Sequence, residues 1–560
     1  MIKNIQHRVK LRKKFYFSTF ILIIGIVCAF IIGFKFSEDD YFFKINKSID
    51  IFGRVYREVA LNYVDVIDPE KFMEAGIRGM LSELDPYTNF ISEKEADEVE
   101  LITVGKYGGI GVTIGLRDGY ITILSLMEGY SAQKQGITPG DRILEVDGKN
   151  VVGMKPDEIR FLTRGEPGTE VHLKIEREGE PKPLEFVLVR EEIQLKNISY
   201  SDYVYDGIAY IRIDRFSRGV GDELRLALKD LKLKGEIKGV ILDLRGNPGG
   251  LLESAVDVVS KFLPKGSLVV STRGRQADSE RKYFVTEEPM FPDVPLIVVV
   301  DQQSASASEI VAGAVQDLDR GIILGKRTFG KGLVQTITPL AYNTQLKITT
   351  AKYYTPSGRC IQEIDYTQKN KEGVFAAKPD SLKKTFKTMK GRLELEAGGI
   401  QPDTTVEDKE YSSFYNDLVR KSMFFKFANY YVSEHKDSIG TIDSQLLIKE
   451  FKEFLNRSNY SYQDEVETKL KELCDLADKC KYSENVKKEF ELLKKYLLEE
   501  KQDIVGKYQE EILPSIKSEI ISRYKGEKGK IEEQLKYDVQ IQAAIGLINN
   551  RKEYAKRLNF

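Results

Sequence analysis

Between residues 196 and 400 the apolar pattern alternates between two periods, and this alternation constrains the fold more than any other feature of the chain. Short β-branched runs predict strands at Ile208–Ile213, Gly239–Leu244, Leu296–Asp301 and Ile322–Leu324. Amphipathic segments between them predict helices at Gly221–Lys232, Leu252–Phe262 and Ser306–Leu318. Strands that alternate with helices bury a sheet under helical layers, so residues 196–405 read as an α/β domain. A polar stretch near Glu363–Lys390 reads as a surface loop.

The flanks differ. From about Gly105 to Glu192 the period is two and glycine is frequent, as in Ile110-Gly-Val-Thr-Ile and Val171-His-Leu-Lys-Ile-Glu. With the tight Asp147-Gly148 turn, this predicts a small β-rich domain over 101–195. Residues 37–100 show helical spacing that closes at Leu84-Asp-Pro-Tyr. Residues 406–560 hold 5 of the 44 Gly and one Pro (Pro514), with long amphipathic runs at Phe490–Ile504 and Ile531–Ile548, and read as helical. The whole is a multidomain α+β chain.

At the amino terminus six basic side chains (Lys3, Arg8, Lys10, Arg12, Lys13, Lys14) precede Phe15–Phe34, which carries no charge. Twenty such residues match a hydrocarbon core of ~30 Å. The basic end predicts a cytoplasmic side, so residues 1–36 read as a single-span transmembrane anchor in a bacterial inner membrane, with the rest exported to the periplasm. A cleaved signal would have a shorter apolar region of ~7–15 residues and a small-x-small site.

Composition narrows the chemistry. Lys+Arg (85) and Asp+Glu (86) nearly cancel, so charge gives no sign of a nucleic-acid partner. There are three His (His7, His172, His435), none in the α/β domain, which disfavours a Ser-His-Asp triad or a His-metal cluster there. Four Cys without a C-x-x-C give no zinc or thioredoxin-like site. No metal or cofactor is expected.

Three segments could still do chemistry. In Asp301-Gln-Gln-Ser304-Ala-Ser306-Ala-Ser308-Glu309 a strand runs into a helix start, where free N–H groups can stabilise an oxyanion. Ser306-x-x-Glu309 is equally a capping box. Without a His, a serine's base would be Lys, and Thr328-Phe-Gly-Lys331-Gly-Leu-Val-Gln335 sets one between two glycines, as a surface turn would also do. The turn Leu244-Arg-Gly-Asn-Pro-Gly249-Gly250 could donate N–H groups; it lacks the G-K-[ST] of a phosphate loop.

Taken together, these segments resemble the C-terminal processing (tail-specific) proteases, serine peptidases with a Ser-Lys dyad. The resemblance covers residues 40–405 and rests on GMLSELDPYT, a PDZ domain, DLRGNPGG, SASASEIVAGAVQD, GKRTFGKGLVQ, AKYYTPSGRCIQ and GGIQPD. It implies a ClpP/crotonase-like serine protease core, Ser306 as nucleophile, Lys331 as general base and Gln335 as its orienting partner. It further implies an oxyanion hole from Ala307 and a glycine, Gly249 or Gly250, with Asp317 in a supporting role. The PDZ loop Gly109-Ile110-Gly111-Val112 would bind a terminal carboxylate, and Arg164 would couple the PDZ to the core. Partners would then be proteins with exposed C-terminal tails, with a homo-oligomer or adaptor contact through the C-terminal helices. A catalytically silent scaffold would keep the PDZ and need no dyad; a crotonase-like acyl-CoA enzyme would share the core and need no PDZ.

Overall fold

The computed structural model describes residues 40–95, 101, 103–276, 278–369, 375–377, 379–435 and 443–559. The chain divides into two compact units, Met1–Phe90 and Ile91–Phe560. In the first, residues 40–62 are helical and a second helix spans Pro69–Leu81. Asp68 starts that helix by accepting the N–H groups of Glu70 and Lys71, with proline in the first turn. Tyr56 stacks on Phe72 at 5.5 Å, and Asp85 accepts the N–H groups of Tyr87 and Thr88 to close the proline turn.

No helix among the described residues is long and apolar enough to cross a membrane. The anchor expected at residues 15–34 lies outside the described residues. This finding overturns the expected transmembrane anchor, and with it the inner-membrane location and the membrane contact.

The second unit begins with the β-rich domain. Its sheet runs Val112–Arg117, Tyr120–Leu126, Arg142–Val146, Glu170–Glu176, Leu184–Val189, with the helix Pro156–Thr163 packed beside it. Alternation buries Val171, Leu173 and Ile175 on one face, as the period-two pattern requires. Asp147 (φ 48°) and Gly148 (φ 76°) make the tight turn. Asp141 is fully buried and takes both Arg177 nitrogens (2.7 and 2.8 Å) and the Thr138 N–H, which pins the turn ahead of Arg142–Val146.

The α/β domain is built on a six-stranded sheet in the order Ile198–Tyr205, Ile208–Ile213, Gly239–Asp243, Leu296–Val300, Ile322–Gly325, Thr404–Thr405, with the first pair antiparallel and the rest parallel. Its central strands are apolar throughout because both faces are covered. Val240, Leu242, Val298 and Ile323 face the helices Val220–Lys234, Leu252–Val259 and Ala307–Asp317. Ile241, Ile297, Val299 and Leu324 face Ile541, Ala544, Ile545 and Ile548, from the far C-terminal end of the chain. A second, antiparallel sheet pairs Gln345–Tyr354 with Leu333–Pro339 on one side and Leu268–Gly274 on the other.

Two details depart from the pattern reading. The polar stretch forms two short hairpins, Ile364–Lys369 with Phe375–Ala377 and Thr385–Lys387 with Leu393–Leu395; three of these four strands have only three residues, too few to show a period. The run Ile531–Ile548 is two helices, because Asp538 accepts the Gln540 and Ile541 N–H groups and starts a new one, Val539–Asn549, after Gln509–Leu535 has ended. The helices Ser413–Arg420, Met423–Glu434 and Ser444–Arg457, with the first part of Gln509–Leu535, pack around Phe414, Phe424, Phe427, Phe451 and Phe454 and reach the β-rich domain through Lys426 and Asp118 (2.8 Å).

Candidate active site

Ser306 stands between the strand Leu296–Val300 and the helix Ala307–Asp317, as the N-cap of that helix with φ 54° and ψ −111°. A non-glycine residue at positive φ is strained by about 1–3 kcal/mol and persists only where its surroundings enforce it. Here they are the other two serines of the run. Ser304 and Ser308 are fully buried; Ser304 Oγ donates to the Leu244 carbonyl (2.8 Å) and Ser308 Oγ to the Asn247 carbonyl (2.9 Å). Both stitch the loop to the glycine turn, and the partly exposed Ser306 is flanked by these two bonds.

The glycine turn lies directly against this loop. A Cβ on Gly249 (φ 99°) would fall 2.8 Å from the Ala307 nitrogen and 2.9 Å from Ser306 Cβ, so only glycine permits the approach. Gly249's own N–H donates to Asn247 Oδ1 (2.8 Å), and the Asn247 amide donates in turn to the Ile213 carbonyl (2.8 Å). Gly249 therefore supplies space. Among the described residues the N–H groups of Gly250 and Ala307 have no hydrogen-bond acceptor, unlike that of Gly249.

Lys331, half-buried, enters through its backbone. Its N–H donates to Glu309 Oε2 (2.9 Å), and the Ser306 N–H donates to the same oxygen (2.8 Å). Glu309 Oε1 accepts from the Gly330 N–H (2.7 Å) and Thr328 Oγ1 (2.6 Å). One carboxylate, itself fully buried, thus fastens the Lys331 loop to the helix start. Burial pushes its carboxyl up to about 7, against the four donors, which pull the other way. Sequence reading had Glu309 only as a cap. It had no role for Tyr353, whose buried hydroxyl donates to the Ser306 carbonyl (3.2 Å).

Two further expected residues have partners of their own. The Gln335 amide donates to Thr349 Oγ1 (3.3 Å), across the hairpin that follows Lys331. Asp317 lies at the far end of the eleven-residue helix, roughly 16 Å along its axis from Ser306. It pairs with the buried Arg359 (2.8 Å) and accepts the Ser357 N–H (3.0 Å), so it anchors the Thr355–Arg359 turn.

In the β-rich domain Gly109 ends a two-stranded ribbon with Glu191–Gln194, Ile110 is buried, and Val112 begins the edge strand. That strand pairs only with Tyr120–Leu126 among the described strands, so its other edge, beside Pro156–Thr163, can accept an added strand. A Cβ on Gly111 (φ 78°) would meet Tyr130 Cβ at 2.6 Å. Arg164, at the end of the helix Pro156–Thr163, stacks its guanidinium on Tyr107 of the ribbon at 4.5 Å. Among the described residues no group of three or more His, Cys, Asp or Glu side chains is placed to hold a metal ion.

Family models match three parts of the chain: peptidase family S41 over residues 207–369, a PDZ domain over 122–177, and the C-terminal helical domain of a probable PDZ-protease over 414–548. These define the class, a serine peptidase with a PDZ domain. The carboxy-terminal-processing protease of Bartonella bacilliformis is 40% identical over 324 residues, 57% of this chain and 74% of the relative. The carboxy-terminal processing protease CtpB of Bacillus subtilis is 32% identical over 397 residues, 69% of this chain and 81% of the relative. The solved photosystem II D1 C-terminal processing protease is 26% identical, covering 64% of this chain and 92% of its own, with a TM-score of 0.34. The chain belongs to the carboxy-terminal processing proteases of peptidase family S41.

Proposed function

We propose that Ser306 and Lys331 form the catalytic dyad of an ATP-independent endopeptidase that takes proteins by their free C-terminal tails. The observation that carries this reading is the shared Glu309 oxygen, which holds the backbones of both residues at once. Neutral Lys331 accepts the Ser306 Oγ proton as Oγ attacks the scissile carbonyl carbon. The resulting oxyanion receives the Ala307 and Gly250 N–H groups at the helix start. The Lys331 ammonium then returns its proton to the leaving amine, and water, deprotonated by Lys331, hydrolyses the acyl-enzyme. Gln335 orients Lys331 from the following strand, and Asp317 supports the site from the far end of the helix. The tail adds as a strand on Val112–Arg117, with its carboxylate at Gly109–Val112, and Arg164 relays binding to the core through Tyr107. ATP independence is supported by the lack of any G-K-[ST].

The test is cleavage of an unfolded protein with a free C-terminus, without nucleotide. Wild type cuts it, whereas Ser306→Ala, Lys331→Ala and Lys331→Arg are silent, since a guanidinium stays charged. Wild-type cleavage by Lys331→Ala would refute the dyad.

A further inference from the structure

Helix Val539–Asn549 covers the sheet face opposite Ala307–Asp317, and its first turn bonds to Arg245, just before the glycine turn, and to Asp408, which pairs with Lys326 at the start of the Lys331 loop. Asp538, its N-cap, also faces Arg245 Nη2 at 2.8 Å. Gln540 is only 1% exposed. Its Oε1 accepts from Arg245 Nη1 (3.1 Å), and its Nε2 donates to the Val406 carbonyl (2.8 Å) and to Asp408 Oδ1 (3.0 Å).

Each partner leads to the active site. Arg245 directly precedes Gly246 of the glycine turn, and its guanidinium forks onto the buried Asp243 (2.6 and 3.0 Å), which also takes the Tyr210 hydroxyl (2.7 Å). Burial alone would push the Asp243 carboxyl up, but the Arg245 guanidinium beside it holds it below the usual range. Asp408 holds Lys326 Nζ at 2.7 Å, and Lys326 opens the loop that ends at Lys331. Docking of the helix is already provided by Ile541, Ala544, Ile545 and Ile548. A buried amide with three hydrogen bonds adds little to that and much to geometry, because each bond fixes a direction.

We infer that Asp538 and Gln540 are positioning residues for the peptidase: through Arg245 and Asp408, the tip of this C-terminal helix holds the glycine turn and the Lys331 loop in register. The inference rests on the dyad and oxyanion assignments made above. Loss of either group frees one edge of the Arg245 fork, and a displacement of the order of 1 Å in such a site costs roughly a hundredfold in rate.

The experiment uses the full chain and a short unstructured peptide with a free carboxylate. Asp538→Asn and Gln540→Ala should lower kcat roughly ten- to a hundredfold while KM changes by no more than about twofold, with Asp538→Glu restoring most of the rate. Tyr554→Phe is the control. Its hydroxyl bonds the Leu296 N–H and carbonyl on the same docked face, so it should lower the melting temperature and leave kcat unchanged. Ser306→Ala is run alongside, and cleavage by it would overturn the site assignment beneath the inference. With Ser306→Ala silent, the inference itself is overturned if Asp538→Asn and Gln540→Ala keep wild-type kcat, or if their rates return to wild type once assayed well below their melting temperatures.

Discussion

Glu309 accepts four hydrogen bonds from two short segments, the helix start and the Lys331 loop, while fully buried, so its removal leaves all four donors without an acceptor. An unsatisfied buried donor costs about 1–3 kcal/mol. Glu309→Ala should therefore lose on the order of 3 kcal/mol or more in urea denaturation, along with cleavage; a loss below about 1 kcal/mol would show that the four bonds do not hold the site. Gly249→Ala tests the close approach. Its Cβ would meet the Ala305 carbonyl oxygen at 2.6 Å and Ser306 Cβ at 2.9 Å at a φ of 99°, so kcat should fall roughly a hundredfold. Near-wild-type turnover would contradict the packing of the turn on Ser306. The serine run and its helix start were legible in the sequence, because a strand, small residues and a helix leave a local signature. Glu309 was legible only as far as its local bond to Ser306. Its other three donors lie nineteen to twenty-two residues away, and no pattern in a single sequence links them. The choice between Gly249 and Gly250 as a donor depends on where the Asn247 side chain points, which composition does not encode.

Among the elements, the edge strand Val112–Arg117 carries the recognition claim. If Gly109–Val112 receives a terminal carboxylate, amidating the peptide removes charged hydrogen bonds worth roughly 1.5–3 kcal/mol. kcat/KM should then fall about 10- to 150-fold relative to the free acid, and equal values would refute carboxylate recognition. Gly111→Val should match that loss on the free acid and change the amide little, since its side chain would push against Tyr130 beside the loop. The strands of this domain were readable because one buried face imposes period two. The break at Asp538 was not, since the apolar residues on either side of it keep helical spacing and only the cap's hydrogen bonds to Gln540 and Ile541 reveal the restart. The short hairpins at 364–395 escaped for want of length.

At the scale of the molecule, the last helices form the second cover of the main sheet. The alternation of strands and helices predicted a layered domain, but the identity of the second cover depends on a contact across more than two hundred residues. Ending the chain at residue 537 would expose Ile241, Ile297 and Val299 and forfeit the burial of Ile541, Ile545 and Ile548, at about 2 kcal/mol for each side chain. Such a protein should aggregate or melt well below the full chain; a soluble truncation with an unchanged melt would mean that the sheet does not need this layer. Proteolysis by one serine activated by one lysine is tested most directly by labelling with a fluorophosphonate followed by peptide mass spectrometry. The phosphonyl group should be found on Ser306 in wild type and be lost in Lys331→Ala at the same pH. A label on another serine, or equal labelling of Ser306 without Lys331, would contradict it.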